Sequence, residues 1–177
     1  MSSGYRIGDQ HALHFLTFPI VEWIDVFTRR IYRDTVLDSF RYCQANKGLR
    51  MHAWVIMSDH VHAIPSTPES DLSGVVRDMK GHTSKAIIRA VQDEKESRRE
   101  WMPARFTTNA LTTARNDNFQ VWTHDNHPLQ LRSFSVKQRA DQNPVRAGWV
   151  DARRDHPYSS ARDYQDEPRL LKIDRLW

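Results

Sequence analysis

Two short apolar runs face each other across a polar break in the middle of the chain. The first is Arg50-Met51-His52-Ala53-Trp54-Val55-Ile56. The second, after Met57-Ser58-Asp59, is His60-Val61-His62-Ala63-Ile64. β-Branched and aromatic residues dominate both, and Ser58-Asp59 is turn chemistry, so the pattern predicts two antiparallel strands joined there. Side chains alternate along a strand, which sets His60, His62 and Ile64 on one face and Val61 and Ala63 on the other. Two imidazoles at this spacing can converge on one cation without bending the backbone. The same spacing fits two ordinary histidines satisfied by the fold, although burying unpaired imidazoles costs free energy. A pair alone also leaves a metal site incomplete.

Around this hairpin the chain alternates in type. His14-Phe15-Leu16-Thr17-Phe18 reads as a first strand ended by Pro19, and Val21 to Phe27 as a packed connection. Thr28 fits a helix N-cap, Asn46 the helix end and Gly48 its stop. A second helix is expected from Ser70, because Leu72, Val75, Val76, Met79, Thr83, Ala86, Ile87 and Ala90 recur at three- and four-residue intervals. Its opposite side carries Arg77, Lys80 and Lys85, which suits a phosphate-facing surface or a plain solvated face. Residues 93–117 read as an irregular excursion with a short helix between Thr107 and Asn118. Phe119-Gln120-Val121-Trp122 reads as a further strand, followed by a turn at Asp125-Asn126-His127-Pro128. The most basic stretch is 132–154, with Arg132, Lys137, Arg139, Arg146, Arg153 and Arg154 against Asp141 and Asp151.

At 177 residues the chain is long enough for one domain with a substantial core. No apolar run reaches the ~18 residues that span a bilayer, and the N-terminus lacks a signal-peptide stretch. Cys43 is the only cysteine, which excludes an internal disulfide and a cysteine-based zinc site. A cytoplasmic location is expected. The net charge of +4 permits nucleic acid as a partner without demanding it.

Taken in order, several segments resemble the single-tyrosine HUH transposases, in particular the REP-associated tyrosine transposases and those of small insertion sequences. They are His14-Phe15-Leu16-Thr17-Phe18, then Ala53 to His62, Gly81-His82-Thr83-Ser84-Lys85 and Phe119-Gln120-Val121-Trp122. Asp125-Asn126-His127-Pro128, Asn143-Pro144-Val145-Arg146-Ala147-Gly148 and Tyr158-Ser159-Ser160-Ala161-Arg162 complete the series. The resemblance covers nearly the whole chain. It implies an α+β, ferredoxin-like fold: a central antiparallel sheet with helices packed mainly on one face. It implies that His60 and His62 hold Mg²⁺ or Mn²⁺, with Asn143 matching the family's amide ligand. A His-His-amide set suits Mn²⁺ better than Mg²⁺. It further implies single-stranded or hairpin DNA as partner; from their charge and placement, Arg77, Lys80, Lys85, Arg146, Arg153 and Arg154 are the expected phosphate contacts, in a monomer or a homodimer.

The family's nucleophile is a tyrosine one helical turn before that Asn, whose attack leaves a covalent phosphotyrosine and conserves bond energy for rejoining. Here the residue four before Asn143 is Arg139. Either Arg139 replaces the tyrosine or a three-residue segment is missing after Asp141. Both alignments remove the nucleophile, because arginine stays protonated. Tyr158 and Tyr164 match non-nucleophilic positions, and packing is the expected role of each. An enzyme that cleaves and joins single-stranded DNA, a catalytically silent hairpin-binding relative with a regulatory role, and an unrelated RNA-binding or structural protein are the three readings left open.

Overall fold

The structure is a computed structural model that describes residues 7–69, 71–93, 95–113, 118–131, 142–167 and 169–176. Its centre is an antiparallel sheet of β1 (His14–Pro19), β2 (Arg50–Ile56), β3 (His60–Ser66) and β4 (Leu129–Gln130), in the order β2-β3-β1-β4. The hairpin forms as its period-two pattern predicts, with Val55 opposite His62 and Ile56 opposite Val61. β3 then pairs with β1, setting Thr17 opposite His62 and Phe18 opposite Val61.

One face of this sheet is covered by α1 (Arg30–Asn46) and α2 (Leu72–Val91). Phe18, Met51 and Ala63 of the sheet line the same interior gap as Phe40 of α1 and Val75, Val76 and Met79 of α2. These residues belong to the main apolar core, where alternate strand positions and one stripe of each helix lose their contact with water. The α+β arrangement with helices mainly on one face is therefore present. His60, His62, Thr17 and Phe15 point to the other face and stay half-buried.

Local differences from the sequence reading have physical causes. Thr28 does not cap α1: its hydroxyl donates to the Asp25 carbonyl at 3.1 Å inside a 3-10 turn (Val26–Thr28), and Arg29 takes the cap position. The helix expected after Thr107 starts earlier, as α3 (Met102–Thr112), with Pro103 in its first turn, where a missing N–H costs nothing. Residues 119–122 form no ladder strand. They meet the chain after β1 through the Val21 N–H donating to the Val121 carbonyl at 2.9 Å and a bridge between Ile20 and Trp122. Ser70, the expected start of the second helix, lies outside the described residues.

Two connections fix the periphery. In the 93–101 excursion, buried Glu96 accepts from the Tyr32 hydroxyl at 2.5 Å and from Arg98 Nε at 3.1 Å. Burial opposes the charge on Glu96, but the Arg98 and Tyr32 hydrogen bonds outweigh it and hold the carboxyl at about 2. The outer edge of β2 is closed by the C-terminal part of the chain. Ile56 N–H donates to the Tyr158 carbonyl, Ser160 N–H to the Trp54 carbonyl and Asp174 N–H to the Met51 carbonyl, at 2.8–2.9 Å.

Candidate active site

His60 and His62 come together as their spacing predicts. Their rings are 4.5 Å apart between centroids, and the two Nε2 atoms face each other at 3.1 Å. Each Nδ1 is engaged behind the pair. His60 Nδ1 lies 2.6 Å from Asp59 Oδ1, and His62 Nδ1 lies 2.9 Å from Thr17 Oγ1. A carboxylate can only accept, so His60 Nδ1–H donates to Asp59 and the lone pair of a neutral His60 sits on Nε2. Thr17 can donate or accept, so His62 has two tautomers open to it. In one, His62 Nε2–H donates to His60. In the other, His62 Nδ1–H donates to Thr17 and both Nε2 lone pairs aim at one point.

Packing holds the pair in place. Phe15 stacks on His62 at 5.0 Å, and Trp23 meets His60 edge-on at 5.8 Å. Burial, reinforced by the neighbouring His60, pushes the His62 pKa down to about 3. The imidazole is then neutral at neutral pH, which is the form able to donate a lone pair to a metal.

Two cis ligands at a right angle on a cation with ~2.1 Å bonds stand about 3.0 Å apart. The Nε2 pair has that separation, and both rings carry the outer hydrogen bonds that orient metal-binding histidines. Among the described residues no cluster of three His, Cys, Asp or Glu surrounds this point. A complete set needs a ligand of another type. Asn143 is half-buried in the helical stretch 142–146, and its backbone carbonyl accepts from Ala147 N–H at 2.9 Å. Among the described residues no hydrogen bond joins Asn143 to either imidazole.

The six basic residues separate into two places. Arg146, Arg153 and Arg154 line one cleft of about 400 Å³, together with Gln142, Asp151 and Gln165. Arg77 and Lys85 lie along α2, beside two adjoining hollows of about 590 and 860 Å³ against residues 118–126. Among the described residues no Asp or Glu lines either hollow. Gly81 lies between them, and a Cβ there meets nothing within 4 Å, so no close backbone approach among the described residues requires the glycine. Lys80 differs from its neighbours on the helix. Its ammonium donates to the Thr123 carbonyl at 2.8 Å and to Asn126 Oδ1, and burial pushes its pKa down to about 7. Lys80 ties α2 to the 121–126 segment, a role its place on the polar face did not reveal.

Arg139 and Asp141, where the sequence lacks the tyrosine, lie outside the described residues, as do Arg132, Lys137 and Tyr5. Other tyrosines spend their hydroxyls elsewhere. Tyr158 donates to Asp34 Oδ1 at 2.7 Å under the Arg33 guanidinium, Tyr164 donates to the His52 carbonyl at 2.7 Å, and Tyr32 is bound to Glu96. Tyr42 is exposed on α1. Sequence reasoning missed Thr17, Asp59 and Trp23 as neighbours of the pair. Asp59 adjoins His60 in sequence and could have been found, whereas Thr17 arrives only through strand pairing.

No helix among the described residues is long and apolar enough to cross a membrane. No curated relative matches the chain by sequence. Among solved structures, a REP-associated tyrosine transposase bound to a REP hairpin is similar over 100% of this chain and 94% of that one, with a TM-score of 0.59 and 18% identity. A transposase-like protein of Deinococcus radiodurans is similar over 81% of this chain and 95% of that one, at 16% identity and a TM-score of 0.46. The likeness to the first is one of fold. The profile of IS200-like transposases matches residues 10–120, which takes in β1, the hairpin with both histidines, α2 and α3, and the chain belongs to that family.

Proposed function

We propose that this chain is a metal-assisted binder of single-stranded or hairpin DNA that has lost the covalent step of its family. The observation that carries this reading is the pair of Nε2 atoms 3.1 Å apart with both Nδ1 atoms engaged behind them. His60 and His62 would hold Mn²⁺ or Mg²⁺, with Asn143 as the amide candidate, and the ion would supply charge stabilisation at a bound phosphate. Asp59 and Thr17 orient the rings. The exposed guanidinium groups of Arg146, Arg153 and Arg154 offer phosphate contacts from one cleft. Arg77 and Lys85 offer a second basic track, while Lys80 is committed to the protein itself. Arg139 stands four residues before Asn143, so the chain carries no phenol there to attack phosphorus. A REP hairpin is what the similar transposase holds, and a stem-loop with a single-stranded flank is the substrate we assign here.

Calorimetry with Mn²⁺ tests the metal. The wild type should bind and His60→Ala/His62→Ala should not; equal binding by both sinks the assignment. Gel shifts with a stem-loop test the DNA arm. Affinity should fall steeply with salt, and Arg146→Ala/Arg153→Ala/Arg154→Ala should lower the log–log slope by about 2. Salt-insensitive binding, or none, would favour an unrelated protein with incidental histidines. A 5′-labelled hairpin with Mn²⁺ should yield no covalent adduct on a denaturing gel. Inserting Tyr-Ile-His after Asp141 is the rescue to try, since it restores both the phenol and its spacing from Asn143.

A further inference from the structure

Trp23 is 59% exposed, and it stands beside the histidine pair with its ring 5.8 Å from His60 and nearly perpendicular to it, at 81°. Its backbone is left-handed, at φ 55, and so is that of Glu22, at φ 54. Two consecutive non-glycine residues in that region are strained, because Cβ crowds the carbonyl. The turn is held there from several sides. Glu22 accepts from Asn109 Nδ2 at 2.8 Å and pairs with Arg105 at 3.6 Å, both on α3. Trp23 N–H donates to the Ile20 carbonyl at 3.1 Å, and Val21 N–H to the Val121 carbonyl at 2.9 Å. Ile20 N–H in turn donates to the Asp59 carbonyl at 2.8 Å, and Asp59 orients His60. Indole, Asp59 and His60 are thus one clamped unit. Packing does not account for the strain, since the side chain it presents is mostly in water.

We propose that Trp23 is a stacking platform for one unpaired nucleobase of the strand bound beside His60 and His62. This rests on the DNA reading above and adds the group that the strained turn serves. An indole offers a wide π-face to any base, so the contact selects for an unpaired base without reading its identity. A base inside a duplex is already stacked on both sides and gains nothing from it.

The test is equilibrium binding of the full chain to a labelled single-stranded oligonucleotide and to the same oligonucleotide with an abasic site scanned along it. Trp23→Ala should weaken binding about 5- to 150-fold, the range measured for loss of one base–aromatic stack. Trp23→Phe should retain most of the affinity. One abasic position should weaken the wild type by a similar factor and leave Trp23→Ala unchanged. Mn²⁺ calorimetry on both variants reports whether the site is still folded. Wild-type affinity in Trp23→Ala overturns the platform, and so does an abasic scan that affects both proteins alike. Failure of the wild type to bind any single strand removes the DNA reading and the platform together, whereas binding that ignores Trp23 removes the platform alone.

Discussion

The two ends of one hairpin treat histidine in opposite ways. At the open end, His52 Nδ1 donates to the Asp174 carbonyl at 2.6 Å, and Nε2 lies 2.8 Å from Ser66 Oγ. A carbonyl only accepts, so the tautomer is fixed and the serine hydroxyl completes it. Both ring nitrogens close on protein, and no lone pair is left over. At the turn end, His60 and His62 also engage Nδ1, His62 with its tautomer open, yet their Nε2 atoms meet each other. The residue type is the same, and the two strands are hydrogen-bonded partners. What differs is whether the second nitrogen has a complementary partner or only a second imidazole, and the proposed metal site rests on that difference.

The contrast is broken most forcefully from the open end. His52→Ala leaves the Ser66 hydroxyl and the Asp174 carbonyl without their partner, and should cost about 2–3 kcal/mol in chemical denaturation. Its Mn²⁺ affinity should be unchanged; a parallel loss of metal binding would mean that the two ends are not independent. Thr17→Val removes the hydroxyl behind His62 at nearly constant volume. Mn²⁺ affinity should fall about 10-fold, with a stability change under ~1 kcal/mol. Unaltered affinity would show that Thr17 does not select the ligating tautomer.

Asp163 sharpens the picture as the exception beside the open end. It is buried, both carboxylate oxygens lack a hydrogen-bond partner among the other described side chains and backbone groups, and burial raises its pKa to about 6. The folded state then holds a proton that the unfolded state releases between about pH 4 and 6, so ionisation penalises the fold above pH 6. Asp163→Asn should gain about 1–2 kcal/mol at pH 8, and the gain should vanish near pH 3. A gain independent of pH would point to packing rather than charge.

The smallest effect belongs to the turn end. His60→Ala/His62→Ala should shift neutral-pH stability by no more than ~1 kcal/mol, because these rings close no bond that the fold requires. The acid limb should still differ. A His62 held at about 3 stays neutral while its unfolded counterpart, near 6.5, takes up a proton. The wild type therefore loses stability as pH falls below 6.5, and the double variant should lose less. Identical slopes would mean that His62 is not desolvated.

How much of this was legible in the sequence depends on the range of the interaction. The hairpin, both long helices and the shared face of His60 and His62 follow from periods of two and 3.6, which nearby residues encode. The Tyr32–Glu96 bond, the Thr17–His62 contact and the two-residue β4 join residues far apart in sequence, and nothing local announces them. Lys80 looked like any basic residue on a polar helix face until residues 121–126 folded over it. Trp23 was hidden for a different reason: a left-handed turn without glycine is improbable on local grounds and persists only because α3 and Asp59 hold it.

The closure of β2 has a consequence in time. Residues 14–66 can assemble β1, β2 and β3 as soon as they leave the ribosome, but Met51, Trp54 and Ile56 wait for residues 158–174 to complete their hydrogen bonds. At ~5–20 residues per second, that wait lasts several seconds or more. Throughout it, a nascent chain carries a bare strand edge with free N–H and C=O groups, and neighbouring chains on a crowded messenger can add to it.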